Sequence, residues 1–511
     1  MVVLLTTGSL EGQHLAKSFF NTGLLGAAGT DAAPSDDQFN RVSFLSHFEG
    51  SNNGVNNAFD DGSSSNHTIT ANGNVTQGSF GPFARLDGEW GVDFDGSGDH
   101  LTIADSSDFD CGTGDFCLEL FIFSGGASSN PMLVTFGGGF YLQLKDSMTD
   151  ISFHTGSTEI IYSGSASLTD NAWHHIAITR EGSSLRHFLD GSLVKTTSNS
   201  DAVNGSSTVY VGTNTNGSSI PWTGLISNLR LVNGSAVYTS AFTVPTSKLT
   251  AVTNTKLLTC QSNRFVDNSA SAHTITPAGN AAVSAFGPFL TDAVYDATVN
   301  GASGYFSSND SGFTDGTADL LDLGVDADFN FGTGDFSIEY WAYFQGTGGV
   351  VFAAHTTNVV NGFYAFDNPP RFEVFQNGGR FEVTTGETPP KNAWYHFVLS
   401  RQSGTVRIFA NGVLKASGTN TASISQDGNR FCVGGILSVS GSNARNYGLK
   451  GYLTDFRVVK GSCAAAYQTS STTNGAVIFT PPTVPLTAVT NTKLLSTWQT
   501  DRLLTAQRRT T

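Results

Sequence analysis

The sequence predicts an all-β protein of two tandem antiparallel β-sandwiches, preceded by a short N-terminal attachment segment. Three observations predict it: a composition suited to strands and turns, an internal duplication, and apolar residues that alternate with a period of two. The chain has 511 residues, more than one hydrophobic core usually organises. It contains 58 Gly and 38 Phe but only 3 Met, and 13% of its residues are charged. Such a mix suits short strands joined by tight turns, with aromatic residues packed between two sheets. Stretches rich in Ala, Glu, Lys and Leu, which helical bundles need, are missing.

The duplication is explicit. LTAVTNTKLL occurs at Leu249–Leu258 and again at Leu486–Leu495. HTIT recurs at 67–70 and 273–276, FGPF at 80–83 and 286–289, GTGDF at 112–116 and 332–336, and NAW at 171–173 and 392–394. The motifs keep their order while the offset grows from 273 − 67 = 206 to 486 − 249 = 237. One unit has been duplicated and its second copy enlarged by loop insertions.

Within each copy the segments read as strands. Phe116, Leu118, Leu120 and Ile122 share one face of DFCLELFIF, as Phe336, Ile338 and Tyr340 do in the second copy. WHHIAITR at 173–180 corresponds to WYHFVLSR at 394–401, and GLISNLRLV at 224–232 to GYLTDFRVV at 451–459. Asp190-Gly191 and Asn411-Gly412 lie between alternating apolar runs, the strongest short-range hairpin signal. A third segment type, Val42–Gly50, Lys256–Asn263 and Lys493–Asp501, opens, joins and closes the units. The expected division is an attachment segment and linker at 1–40, sandwiches at 41–254 and 255–500, and a tail at 501–511. Ser9–Asn21 can form a short helix with Leu15 and Phe19 on one face, followed by a Gly/Ala/Asp/Ser linker at 26–38. It reads as a docking peg for a larger particle or as a cap on the first sandwich.

FDGSGDHL at Phe94–Leu101, GTGDF, NAWHHIA and GLISNLR, in order in both halves, resemble the laminin-G-like, concanavalin A-like jelly roll. The resemblance covers about residues 41–500. The second copy departs from it between Tyr305 and Leu323, where the spacing differs. YTSAFTVP (Tyr238–Pro245) followed by LTAVTNTKLL resembles virion structural proteins of tailed marine phages, cyanophages especially. That implies a place on a tail fibre, capsid decoration or other appendage, attached to other virion proteins through the N-terminal segment and touching host-surface glycans. A free carbohydrate-binding lectin is the alternative, and a glycan hydrolase a third. Exposed sandwich edges further imply a homo-oligomer.

Charge excludes other classes. The net charge is −16, with 26 basic against 42 acidic side chains, so neither nucleic acid nor anionic lipid is an expected partner. No apolar run reaches the ~18 residues of a membrane span. Met1–Leu5 lacks the basic stretch and length of a signal peptide, so synthesis in the host cytoplasm is expected. The five cysteines (111, 117, 260, 432 and 463) form no CxxC pair and read as buried thiols.

Few residues invite chemistry. Hydrolases of this fold carry three carboxylates on one strand; here Asp115 with Glu119, and Asp335 with Glu339, each lack the third. Both Asp residues are better read as turn-to-strand caps, and no enzyme is expected. Asp93, Asp95 and Asp99 form an Asp/Gly turn whose carboxylates are the candidate calcium ligands, the plain alternative being a solvated turn. His174 and His175 point to opposite strand faces and cannot share an ion. Trp173 and Trp394 read as core. Trp222, beside Pro221 in a Gly/Ser-rich loop, is the candidate for stacking on a ligand, against a core role.

Overall fold

The computed structural model describes residues 59–497 apart from 60, 62, 79, 84–89, 127–128, 157, 164–167, 169–171, 290–300, 309–317, 356–360, 377–378 and 438–444. The attachment segment, the Val42–Gly50 strand and the tail at 501–511 therefore lie outside the described residues.

Alternation does what the sequence predicts. In the first sandwich Phe116, Leu118, Leu120 and Ile122 point into a core where Phe136, Phe140 and Phe153 meet them from the facing sheet, all fully buried. One sheet runs Ser192–Ser198, Ser184–Leu189, Trp173–Glu181, Phe116–Ser124, Thr223–Asn233, Gly91–Asp95, Ala282–Ser284. The facing sheet runs Ile275–Ala278, His100–Ile103, Val209–Val211, Met132–Phe136, Phe140–Lys145, Asp150–Thr155, Thr158–Ser163. Every ladder is antiparallel. The second sandwich repeats this order with Phe336–Phe344 and Trp394–Gln402 at the centre of one sheet and Val350–Ala354 and Gly362–Asp367 in the other. Its core holds Phe336, Ile338 and Tyr340, as their alternation predicts.

The repeated motifs have identifiable jobs. Asp190 and Gly191 (φ 48° and 75°), like Asn411 and Gly412 (φ 50° and 83°), take the left-handed backbone that a two-residue hairpin turn requires. In GTGDF the carbonyls of Gly112 and Gly114 accept from the fully buried Arg180, at 2.6 Å to Nη2 and 2.9 Å to Nε. Gly332 and Gly334 receive Arg401 in the same way. The Asp that follows is a cap: Asp115 accepts from Gly182 N–H and Asp335 from Ser403 N–H, both at 2.8 Å. The five cysteines are buried, unpaired thiols.

Strand pairing departs from the sequence boundary at 254/255. Thr255–Thr259 pairs with Thr223–Asn233, and the hairpin of Ile275–Ala278 and Ala282–Ser284 adds one strand to each sheet of the first sandwich. The equivalent hairpin at the start of the chain, Thr70–Asn72 and Thr76–Gly78, pairs with Leu320–Asp322 and Ser303–Ser307 of the second sandwich. Each hairpin thus completes a sandwich that ends in a KLL strand, and the second sandwich receives its hairpin from a segment that precedes the first sandwich. The FGPF motif after each hairpin then lies on the sandwich it completed. Phe80 packs on Tyr343 and Trp394, with ring centroids 5.1 and 5.3 Å apart. Phe286 packs on Phe123 and Trp173, at 4.9 and 5.7 Å. Trp90, Trp341, Trp394 and Phe83 share a separate buried cluster with Val283 of the second hairpin.

Candidate functional site

The structure relocates most residues singled out from sequence. Trp222 is fully buried in the first core, so it offers no surface for stacking on a ligand. It immediately precedes Thr223–Asn233 and is in phase with the inward Ile226, the strand period having continued through the loop.

Asp93, Asp95 and Asp99 lie close enough for their charges to act on one another, and backbone N–H groups engage two of them. Asp99 is buried and accepts from Asp95 N–H at 2.8 Å and from Asn280 N–H in the turn of the second hairpin. Asp95 accepts from Ser97 N–H at 2.7 Å, closing its own turn. Asp93 sits on its strand opposite Leu225 and Ala282. Asp319, the second copy's counterpart of Asp99, receives Asn74 N–H of the first hairpin and, at 2.8 Å, Ser307 N–H.

Glu119 and Glu339 are buried on the sheet face away from the core. Glu119 accepts from Arg230 Nε and Nη2 at 2.9 and 2.6 Å and from Tyr238 Oη at 3.0 Å, with His175 Nε2 at 3.1 Å. Burial opposes ionisation of this carboxyl, but the bond from His175 and the Arg230 charge outweigh it and hold it below the usual range. Arg457, Tyr467 and His396 surround Glu339 in the same arrangement. Tyr238, from the YTSAFTVP phrase, helps cover the quartet. His175 is buried and its neighbour His174 pairs with Asp190 at 2.8 Å, so the two histidines do face apart.

An open surface lies elsewhere, on the outer face of the first sandwich's other sheet. Thr276, Thr102, Tyr210, Thr135, Tyr141, His154 and Glu159 follow one another across its strands as direct register partners. Tyr141 and His154 stack face to face, with centroids 4.5 Å apart and planes 6° from parallel, so each ring covers one face of the other. Thr102, Tyr210, Tyr141 and His154 are half-buried, Thr135 between the two tyrosines is buried, and Glu159 and Thr276 are exposed. Glu159 is held by Lys145 and by Ser152 Oγ at 2.9 Å. The hydrogen bond from Lys145, with that from Ser152, keeps its carboxyl ionised below the usual range despite some burial. The stacked pair, the flanking hydroxyls and an oriented carboxylate together offer hydrogen-bonding groups to the hydroxyls of a sugar ring. Sequence reading passed over these residues, although the alternation in FYLQLK and ISFHT places Tyr141 and His154 outward.

The matching face of the second sandwich differs. Tyr364 takes the place of Tyr141 and is half-buried like it, but it packs beside an apolar cluster of Phe366 and Ile436, which Tyr447 also joins. Glu373, the register partner of Tyr364, is buried between Arg371 Nε and Arg380 Nε, each at 2.6 Å. Ile436–Leu437 and Arg445–Asn446 pair antiparallel, and Ile436 belongs to the apolar cluster.

Three solved structures give the scale of likeness. Domains LG4-5 of the mouse laminin alpha1 chain are 15% identical, covering 74% of this chain and 90% of that one, with a TM-score of 0.25. The heptameric SAP-like pentraxin of Limulus polyphemus is 12% identical, over 39% and 96% of the two chains, with a TM-score of 0.29. The CBM40 of a Ruminococcus gnavus IT-sialidase, bound to alpha2,3 sialyllactose, is 12% identical over 29% and 85%, with a TM-score of 0.21. No curated protein matches the chain. The laminin-G model of the concanavalin A-like lectin/glucanase superfamily matches residues 95–241 and 315–466, once in each sandwich, and the chain belongs to that superfamily.

Proposed function

We propose that this protein is a non-enzymatic, lectin-like surface protein of a phage particle, which contacts host-surface glycan through the outer sheet of its first sandwich. The observation that carries the binding half is the outward segment of half-buried Tyr141 and His154 leading to the exposed, oriented Glu159. Membership of a superfamily of lectins and glucanases supports it. The glucanase side is disfavoured because Glu119 and Glu339, the carboxylates best placed by sequence, are buried in ion-paired quartets out of reach of substrate. The particle half rests on the sequence resemblance of YTSAFTVP and LTAVTNTKLL to phage virion proteins.

Exposing the full chain to an array of bacterial surface glycans tests the binding half, and binding to a restricted set is expected. Folded protein that binds none would overturn it. Mass spectrometry of purified particles tests the other half. Binding by a protein absent from particles would leave a free lectin.

A further inference from the structure

Both hairpins are held by one set of bonds, but only one hairpin is next in sequence to the sandwich that holds it. Asp267 accepts from Leu258 N–H and Ser269 N–H, both at 2.9 Å, nine and two residues away. Asp61 makes the same bonds to Leu495 N–H at 2.9 Å and Ser63 N–H at 2.8 Å, and there Leu495 lies 434 residues away. Ser269 Oγ donates to Lys256 O at 3.2 Å, and Ser63 Oγ to Lys493 O at 3.0 Å. Ser271 Oγ donates to Asp108, which also pairs with Lys256. Ser65 Oγ donates to Asp328, which pairs with Lys493.

The receiving surface is a pair of sheet edges. Thr70–Asn72 and Thr76–Gly78 are terminal strands, one in each sheet of the second sandwich. Between them Val75 is buried in the core beside Ala302 and Phe306, while Asn74 N–H meets Asp319. Without this hairpin, Leu320–Asp322 and Ser303–Ser307 would present unpaired edges. Such edges accept any strand of the right pattern, whichever molecule supplies it. The hairpin is joined to the first sandwich by a short connection, with residues 84–89 between Phe83 and Trp90.

We propose that this N-terminal hairpin is an exchangeable arm, and that the second sandwich accepts the arm of a second copy of the chain. Donor and acceptor are different surfaces, so exchange links copies head to tail, as closed rings or open chains. Within one chain the arm competes at an effective concentration of roughly millimolar. Exchange therefore grows as the protein concentration approaches that range. The inference does not depend on glycan binding.

Full-length Thr76→Cys and Tyr305→Cys chains, carrying different tags, test it. These residues are direct partners across the ladder, and such partners lie ~4.5–5.5 Å apart, within disulfide range. The two variants are unfolded, refolded together under reductant at near-millimolar concentration, and then oxidised. The expected product is a disulfide-linked heterodimer, formed by the mixture and by neither variant alone. The Thr76→Cys/Tyr305→Cys double variant calibrates the pair by closing within one chain at low concentration. A double variant that closes while the mixture stays monomeric would overturn the proposal. A double variant that forms no disulfide would overturn the pairing of arm and acceptor itself.

Discussion

Asp61 accepts a hydrogen bond from the backbone N–H of Leu495 across nearly the whole length of the chain, at 2.9 Å. Burial would raise the pKa of this carboxyl, but the N–H groups of Leu495, His67 and Ser63 outweigh it and hold the pKa below its ordinary 3.8. A depressed carboxyl stabilises the fold above its unfolded pKa, and this contribution is lost as pH falls through the folded value. Asp61→Asn is therefore expected to cost about 1–3 kcal/mol at neutral pH, through one good acceptor lost from several buried donors. The deficit should shrink below about pH 4. Chemical denaturation of both proteins across pH 3–7 checks this, and a deficit that does not change with pH would contradict it.

Asp455 behaves oppositely. It takes the place that Asn228 holds in the first sandwich, both at φ 52° in the bulge of a long central strand. Burial drives the Asp455 carboxyl up to about 7, although Leu486 N–H and Thr454 Oγ1 donate to it. A raised carboxyl means that the folded state holds a proton that the unfolded chain has released. Stability then falls as pH rises from about 4 to about 7, and levels off above. Asp455→Asn copies the first sandwich's solution and should raise the unfolding temperature at pH 8, by about 2–4 °C per kcal/mol recovered. Thermal scans at pH 5 and pH 8 should show the larger gain at pH 8.

Trp222→Ala separates a core residue from a surface one. Its full burial predicts a loss of about 3–5 kcal/mol. An exposed ligand platform would change stability by less than about 0.5 kcal/mol. Equilibrium unfolding in urea distinguishes the two.

Much of the fold was legible because its signals are local. Asp190-Gly191 and Asn411-Gly412 announce their turns, and Phe116 to Ile122 announce their buried face. The exchange of hairpins was not legible. HTIT at 67–70 precedes the first sandwich in sequence, and no local feature names Leu495 as the partner of Asp61. The site was missed for a related reason. Trp222 drew attention as an aromatic in a polar loop, yet strand phase carried it inward. Tyr141 and His154 are ordinary alternating residues until their strands pair and stack them. The apolar cluster beside Tyr364 in the second sandwich depends on Ile436 and Tyr447, which lie in the enlarged part of the second copy.

The most direct test of the account compares two tyrosines at equivalent positions. Wild type, Tyr141→Ala and Tyr364→Ala would be applied to the same glycan array, each first shown to be folded by circular dichroism. The account predicts that Tyr141→Ala weakens binding about five- to tenfold, as the loss of a contact worth ~1–1.5 kcal/mol does. Tyr364→Ala, on the face where Glu373 is buried, should bind like wild type. Binding that survives Tyr141→Ala and disappears with Tyr364→Ala would place recognition on the second sandwich and contradict the account.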